Sequence, residues 1–249
     1  MKKFNRCGYF VWMGMLLVLV SGCGTIRKHP DFNTRAPEIR KVAVMPPQIV
    51  IERVAFKGNN ELLYDEMQAA EKKVRADLEN EFQKRQYAVN AFEINESLKA
   101  QDPEVGTEWG KLKEKYAHLV ADFCNQFAAK MKYKDFRLSL GSDVNSFADR
   151  TGADVLIFST GSGFVNSGGE NTKNFTKSLL IGVLSGGRMI PIYNTHGGTI
   201  HVSVVDGDNG EILWHNFTPA NKVYDLTDGD SIHKMIHSVL AKYPAKGAL

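Results

Sequence analysis

The chain has 249 residues, 43% of them hydrophobic and 24% charged, which is enough apolar material for one sizeable core. Its formal net charge of +3 equals the contribution of Lys2, Lys3 and Arg6, so the remainder carries 28 basic and 28 acidic residues. A balanced body excludes a nucleic-acid footprint spread over its surface, and no nucleic-acid partner is expected.

The three amino-terminal cations precede an apolar run, Tyr9 to Val20, that is shorter than the roughly 20 residues a spanning helix needs. Positive start, short apolar middle and small residues describe an export signal. The run closes on Val20-Ser21-Gly22-Cys23, which resembles the lipobox of bacterial lipoproteins. The resemblance implies removal of residues 1–22, acylation of Cys23 with palmitate among its acyl chains, and attachment to a membrane through that cysteine. Gly24, in place of an aspartate after the cysteine, resembles the arrangement that sorts such proteins to the periplasmic face of the outer membrane. Cys7 is lost with the signal and Cys23 carries lipid, so Cys124 alone remains and no intrachain disulfide is expected. Gly24 to Pro37 is polar and interrupted by Pro30 and Pro37, and residues 23–37 read as a lipidated tether with an end-to-end distance of roughly 20 Å.

A single α/β domain is expected over residues 38–244. Lys41 to Met45 is a short apolar strand stopped by Pro46-Pro47. Gln48 to Phe56 is β-branched and is either a further strand or an irregular segment. After Gly58-Asn59-Asn60, the spacing of Leu63, Met67, Ala70, Val74, Leu78 and Phe82 predicts an amphipathic helix with an Asn cap. Tyr87 to Ile94 reads as a strand. Leu112, Tyr116, Val120, Phe123, Phe127 and Met131 form the stripe of a long helix from about Thr107 to Met131, with Cys124 beside it as a buried structural thiol. A short helix follows, bounded by Ser142 as amino cap and Gly152 just past its end. Val155-Leu156-Ile157-Phe158 is the uninterrupted apolar run of a central strand.

Residues 164–198 read as an insertion, rich in glycine and then apolar. Thr199 to Val205 and Glu211 to Phe217 flank Asp206-Gly207-Asp208-Asn209-Gly210, the chemistry of a hairpin turn. Ile232, Met235, Ile236, Val239, Leu240 and Tyr243 form the apolar stripe of a last helix ended by Pro244. This order describes a two-layer or three-layer sandwich: a mixed sheet with a carboxy-terminal hairpin and flanking amphipathic helices.

Three stretches carry a family resemblance: Lys41 to Pro47, Thr151 to Ile157, and Val204-Val205-Asp206 with Gly210-Glu211-Ile212-Leu213-Trp214. They resemble envelope lipoproteins that share the fold of the amino-terminal domain of the Tol translocation protein B, among them the curli secretion-channel lipoprotein and the lipoprotein activators of peptidoglycan synthases. The resemblance implies an accessory or assembly role in the cell envelope, with a protein partner there or a homo-oligomer. The long helix near 107–131 and the insertion depart from that pattern.

Candidate chemistry is sparse. His233 and His237 stand at i and i+4 on the last helix, a metal-compatible spacing, but at the solvent border of its apolar stripe and without a third ligand nearby. A two-residue or four-residue turn would put His201 and His215 on opposite faces of the hairpin; only a three-residue register would bring them together. Asp206, Asp208, Asn209 and Glu211 lack the twelve-residue spacing of a calcium loop and read as turn formers. Gly161-Ser162-Gly163 and Gly168-Gly169 have no phosphate-loop spacing, and a G-x-S-x-G elbow is missing. No catalytic residue, metal or cofactor is therefore assigned. Gly182 to Gly186 is a G-x-x-x-G in an apolar segment whose large residues, Leu179, Leu180, Ile181, Val183, Leu184, Ile190 and Ile192, are expected to contact a partner, a second copy or the membrane interface, or else to lie in the core.

The expected function is that of a non-enzymatic, periplasm-facing outer-membrane lipoprotein that assists or assembles an envelope machine. The alternatives are a subunit of an oligomeric secretion channel, with the insertion facing the membrane, and an envelope hydrolase or metal-binding protein.

Overall fold

A computed structural model describes residues 26–54, 60–128, 136–166, 196–218 and 223–248. In chain order they form β1 (Arg27–Lys28), α1 (Phe32–Arg35), β2 (Lys41–Val44), β3 (Gln48–Val54), β4 (Glu61–Leu62), α2 (Tyr64–Lys84), β5 (Ala88–Ala91), α3 (Glu96–Gln101), α4 (Pro103–Ala128), α5 (Asn145–Thr151), β6 (Val155–Asn166), β7 (His196–Asp206), β8 (Ile212–Phe217) and α6 (Gly229–Leu240).

Among the described residues eight strands make one mixed sheet: six follow the order β1-β8-β7-β6-β2-β5, and β3 and β4 lie off this path. β2 runs parallel to β5 and β6, whereas β6, β7, β8 and β1 pair antiparallel. The prolines explain the one irregular neighbour. Met45 still donates to Ile157 O at 3.0 Å, but Pro46 and Pro47 have no N–H to continue the ladder. The chain steps past them and rejoins β6 as β3, parallel from Gln48 opposite Thr160 to Val54 opposite Asn166, with β4 on its outer side. The undecided stretch after the prolines is thus largely strand.

Alternation along the strands divides the core into two. Val42, Val44, Val155 and Ile157 pack with α2 and α6, while Ala43, Met45, Leu156 and Phe158 pack with α4 and α5. Helices therefore cover both faces, and the sandwich has three layers. Removing a large side chain such as Phe158 or Phe82 from water contributes about 1.5–3 kcal/mol each. Tyr243, past the end of α6, closes the first core with edge-on contacts to Phe32, Phe82 and Trp214 at 6.1, 5.3 and 5.2 Å between centroids.

Several expectations need correction. The stretch read as a flexible tether is docked from Ile26 onward: β1 pairs with β8, Phe32 and Ala36 are buried, and His29 N donates to Leu213 O at 2.9 Å. Two buried apolar side chains and a strand edge outweigh the polar character of the segment. The cap of α2 is not an asparagine, because Leu63 occupies that place while Asn60 Nδ2 donates to Glu52 Oε2 at 2.9 Å. Ser142 sits inside a 3-10 turn and does not cap α5, although Gly152, at φ 59°, does end it. α4 begins at Pro103 and is preceded by α3, whose cap Asn95 accepts from Leu98 N at 2.9 Å.

The insertion is shorter than 164–198, because β6 runs to Asn166 and β7 starts at His196. Glycine allows this extension. Phe164 stands opposite Gly197, and a Cβ on Gly197 would lie 2.2 Å from the Phe164 ring, so the aromatic covers the space a side chain would fill.

Candidate functional site

The residues singled out for the membrane and for partners, Cys23 and Leu179 to Ile192, lie outside the described residues. The strands beside them are described, and their register relates the two. β1 is antiparallel to β8, with Arg27 opposite His215, so the chain enters at Ile26 from the end of the sheet where β8 finishes. Phe217 of β8 stands opposite His201, and β7 begins further along at His196, opposite Val165 of β6. The 167–195 segment thus leaves and returns at the same end of the sheet at which the chain enters. Cys23 is four residues before Arg27, within about 14 Å of it at full extension.

The entering segment is clamped at the far side of the hairpin. The Arg35 guanidinium pairs with Asp206 and, at 2.5 Å, with Glu211 Oε2. That contact, with desolvation opposing it, holds the Glu211 carboxyl below the usual range. Asp206 Oδ1 also accepts from Asp208 N and Asn209 N at 2.9 and 3.2 Å, and Asn209 Oδ1 from Glu211 N at 2.9 Å. The acidic cluster is therefore the turn former it was expected to be.

The two hairpin histidines stand together, against expectation. The turn does have four residues, closed by Asp206 N donating to Glu211 O at 2.9 Å. A bulge then shifts the register between Val204 and Val205, so Leu213 and Trp214 both face the α6 core. The extra residue returns His215 to the α4 face beside His201. There Ser203 Oγ lies 2.8 Å from His215 Nδ1, His215 Nε2 3.4 Å from His201 Nδ1, and Cys124 Sγ 3.8 Å from His201 Nε2. Tyr116 donates to Ser203 Oγ at 3.0 Å. Phe123 seals the cluster edge-on, its centroid 4.6 Å from that of His215.

Burial, with smaller contributions from His201 and Arg27, pushes the His215 pKa well below its ordinary value and keeps the ring neutral. Burial likewise pushes the Tyr116 hydroxyl far up. A serine beside a histidine invites a nucleophile reading, but Ser203 and His215 are at most 1% exposed, and the two ring nitrogens of His215 face Ser203 Oγ and His201 Nδ1. The chain of contacts fixes the polar interior of the sheet instead. No sequence signal announced it, since a bulge has no local signature here.

His233 and His237 take separate partners on α2: His233 Nδ1 is 3.3 Å from Asp77 Oδ1, and His237 Nδ1 is 3.7 Å from Glu81 Oε2. Glu81 is 3% exposed; burial opposes its charge, but Arg85 and Lys84 win and lower its pKa. Among the described residues, no group of three or more His, Cys, Asp or Glu side chains is arranged to hold a metal ion. Gly161 and Gly163 belong to β6 and not to a phosphate loop.

These elements define an α/β sandwich with a mixed sheet. No family model matches the chain, and no curated protein matches it. Among solved structures it is similar to a dodecamer of a PelC point variant from Paraburkholderia phytofirmans, with 11% identity and a TM-score of 0.34 over 88% of this chain and 96% of that one. So loose a likeness transfers no residue role. Among the described residues, no helix is long and apolar enough to cross a membrane.

Proposed function

We propose that the protein is a lipid-anchored, periplasm-facing outer-membrane lipoprotein that acts as a non-enzymatic assembly subunit of an envelope machine. The observation that supports this reading is the shared end of the sheet: the chain enters there, a few residues after Cys23, and the 167–195 segment departs from there. One acyl chain binds a bilayer only marginally, whereas two or more on Cys23 anchor it stably. With Arg27 within about 14 Å of the lipidated residue, that end of the sheet stays at the bilayer surface. The apolar residues from Leu179 to Ile192 then meet either the interface or a neighbouring copy, and not bulk water.

The test has two arms. Cys23→Ala should abolish palmitate incorporation and release the protein from the membrane fraction; continued labelling defeats the anchor. Leu180→Asp combined with Val183→Asp, in the lipidated protein in detergent, should lower the sedimenting mass while circular dichroism is preserved. Loss of the folded signal would show the segment to be core, and unchanged mass would remove it from assembly.

A further inference from the structure

Among the described residues, three large hydrophobic side chains are exposed: Leu62 at 39%, Tyr64 at 66% and Val223 at 61%. All three lie at one end of the sheet. Leu62 stands opposite Glu52, and Glu52 opposite Phe164, close to the finish of β6. Tyr64 opens α2, one residue beyond Leu63, whose N–H donates to Ile51 O at 2.9 Å. Val223 adjoins Tyr224, and the Tyr224 carbonyl and the Leu226 side chain lie 3.4 and 2.9 Å from where a Gly198 Cβ would be. Gly198 pairs with Gly163, one step before Phe164. At the other end, where β6 begins, Lys41, Asp149, Asp154 and Asp208 are exposed. Single apolar residues scattered over a surface are ordinary, but these are gathered at one end and faced by charge at the other.

The chain before Ile26 indicates what meets that end. β1 is antiparallel to β8, so the backbone traced back from Arg27 heads toward the end of the sheet where Leu62, Tyr64 and Val223 stand. Cys23 is three residues before Ile26, within roughly 11 Å at full extension. Acyl chains on Cys23 therefore hold the apolar end against the bilayer and leave the charged end facing away.

We infer that Leu62, Tyr64 and Val223 dip into the phospholipid interface, a second membrane contact made by the folded domain beside the lipid on Cys23. Tyr64 suits that depth, since its ring is apolar and its hydroxyl is satisfied among headgroups. Leucine and valine beside it reach the acyl boundary, where stable attachment gains from a second signal. The inference rests on the proposed anchor and deepens it by fixing the orientation of the domain: α2 starts at the bilayer, and the Asp206 to Gly210 turn points away from it.

The test places an NBD fluorophore on Tyr64→Cys, on Val223→Cys and, at the charged end, on Asp149→Cys. Each full-length lipoprotein is reconstituted into vesicles of phosphatidylethanolamine and phosphatidylglycerol, with and without a nitroxide-labelled phospholipid. Cys124 is buried, and the unsubstituted protein gives the labelling background. An element lying about 5–10 Å into the headgroup boundary should lose about half of its emission to the nitroxide, whereas the label at position 149 should lose almost none. Adding Leu62→Asp and Val223→Asp to the Tyr64→Cys protein should cut its quenching about twofold or more, with circular dichroism unchanged because both positions are exposed. Equal quenching at all three sites, or quenching at position 64 that the two aspartates leave unaltered, would overturn the contact. A protein that floats with the vesicles but shows no quenching at 64 and 223, because a second copy or the 167–195 segment covers them, would overturn the contact alone. Quenching at 64 and 223 in a protein that incorporates no palmitate would leave the contact standing and remove the anchor, and failure to float would defeat both.

Discussion

His201 and His215 lie ring beside ring inside the protein, 3.4 Å between Nδ1 of one and Nε2 of the other, because β8 gains one residue at its bulge. The neutral state of His215 follows from this burial, and it gives folding a definite dependence on pH.

Above the unfolded-state pKa of about 6.5, both states carry an uncharged His215 and its contribution to stability is complete. Below it, the unfolded chain takes up a proton that the buried ring refuses, since its folded pKa is lowered. Stability therefore falls with pH, by up to about 1.4 kcal/mol per pH unit, until the folded-state pKa is reached. Thermal melts between about pH 7 and 5 should show this decline, with a shallower slope for His215→Phe even if that variant is less stable throughout. Identical slopes would exclude His215 as the titrating group.

Gly197 and Phe164 should be energetically coupled. A methyl group on Gly197 collides with the Phe164 ring, so Gly197→Ala is expected to cost about 1–3 kcal/mol. In a Phe164→Ala background that cost should nearly vanish, and urea unfolding of the four proteins gives the coupling energy directly. Additive effects would mean that the ring swings aside freely.

The Arg35 clamp should contribute modestly. Its side chain is 23% exposed and those of Asp206 and Glu211 are 14% and 34% exposed, so solvent screens the network. Arg35→Ala should cost about 1 kcal/mol at low salt and less at high salt. The part of the stability owed to ionised Glu211 is present above pH about 4.5 and fades as acid lowers the pH through its depressed folded-state pKa.

Arg85 ties α2 to the end of α6. Its guanidinium meets Glu81 Oε2 at 2.5 Å and donates to Leu240 O at 2.8 Å, a fork that lysine cannot reproduce. Arg85→Lys should lower stability by about 1–2 kcal/mol and Arg85→Ala by more, because buried Glu81 would lose its main partner. Calorimetric melts of the two variants should fall in that order.

Local patterns were enough to specify much of this protein. The apolar runs of β2 and β6, the three-to-four spacing along α2, α4 and α6, the turn chemistry of Asp206 to Gly210 and the stop at Pro46-Pro47 all act within one turn or one strand, so neighbours along the chain suffice to reveal them. What the tertiary structure decided depends on distant partners. The bulge exists because Trp214 must face Tyr243 and the α6 core, a demand that comes from the other side of the domain. The amino-terminal segment docks because Arg35 meets Asp206 and Glu211, residues 171 and 176 positions away. Side-chain periodicity declares which face of an element is apolar, but register and juxtaposition are settled only when the faces close on one another.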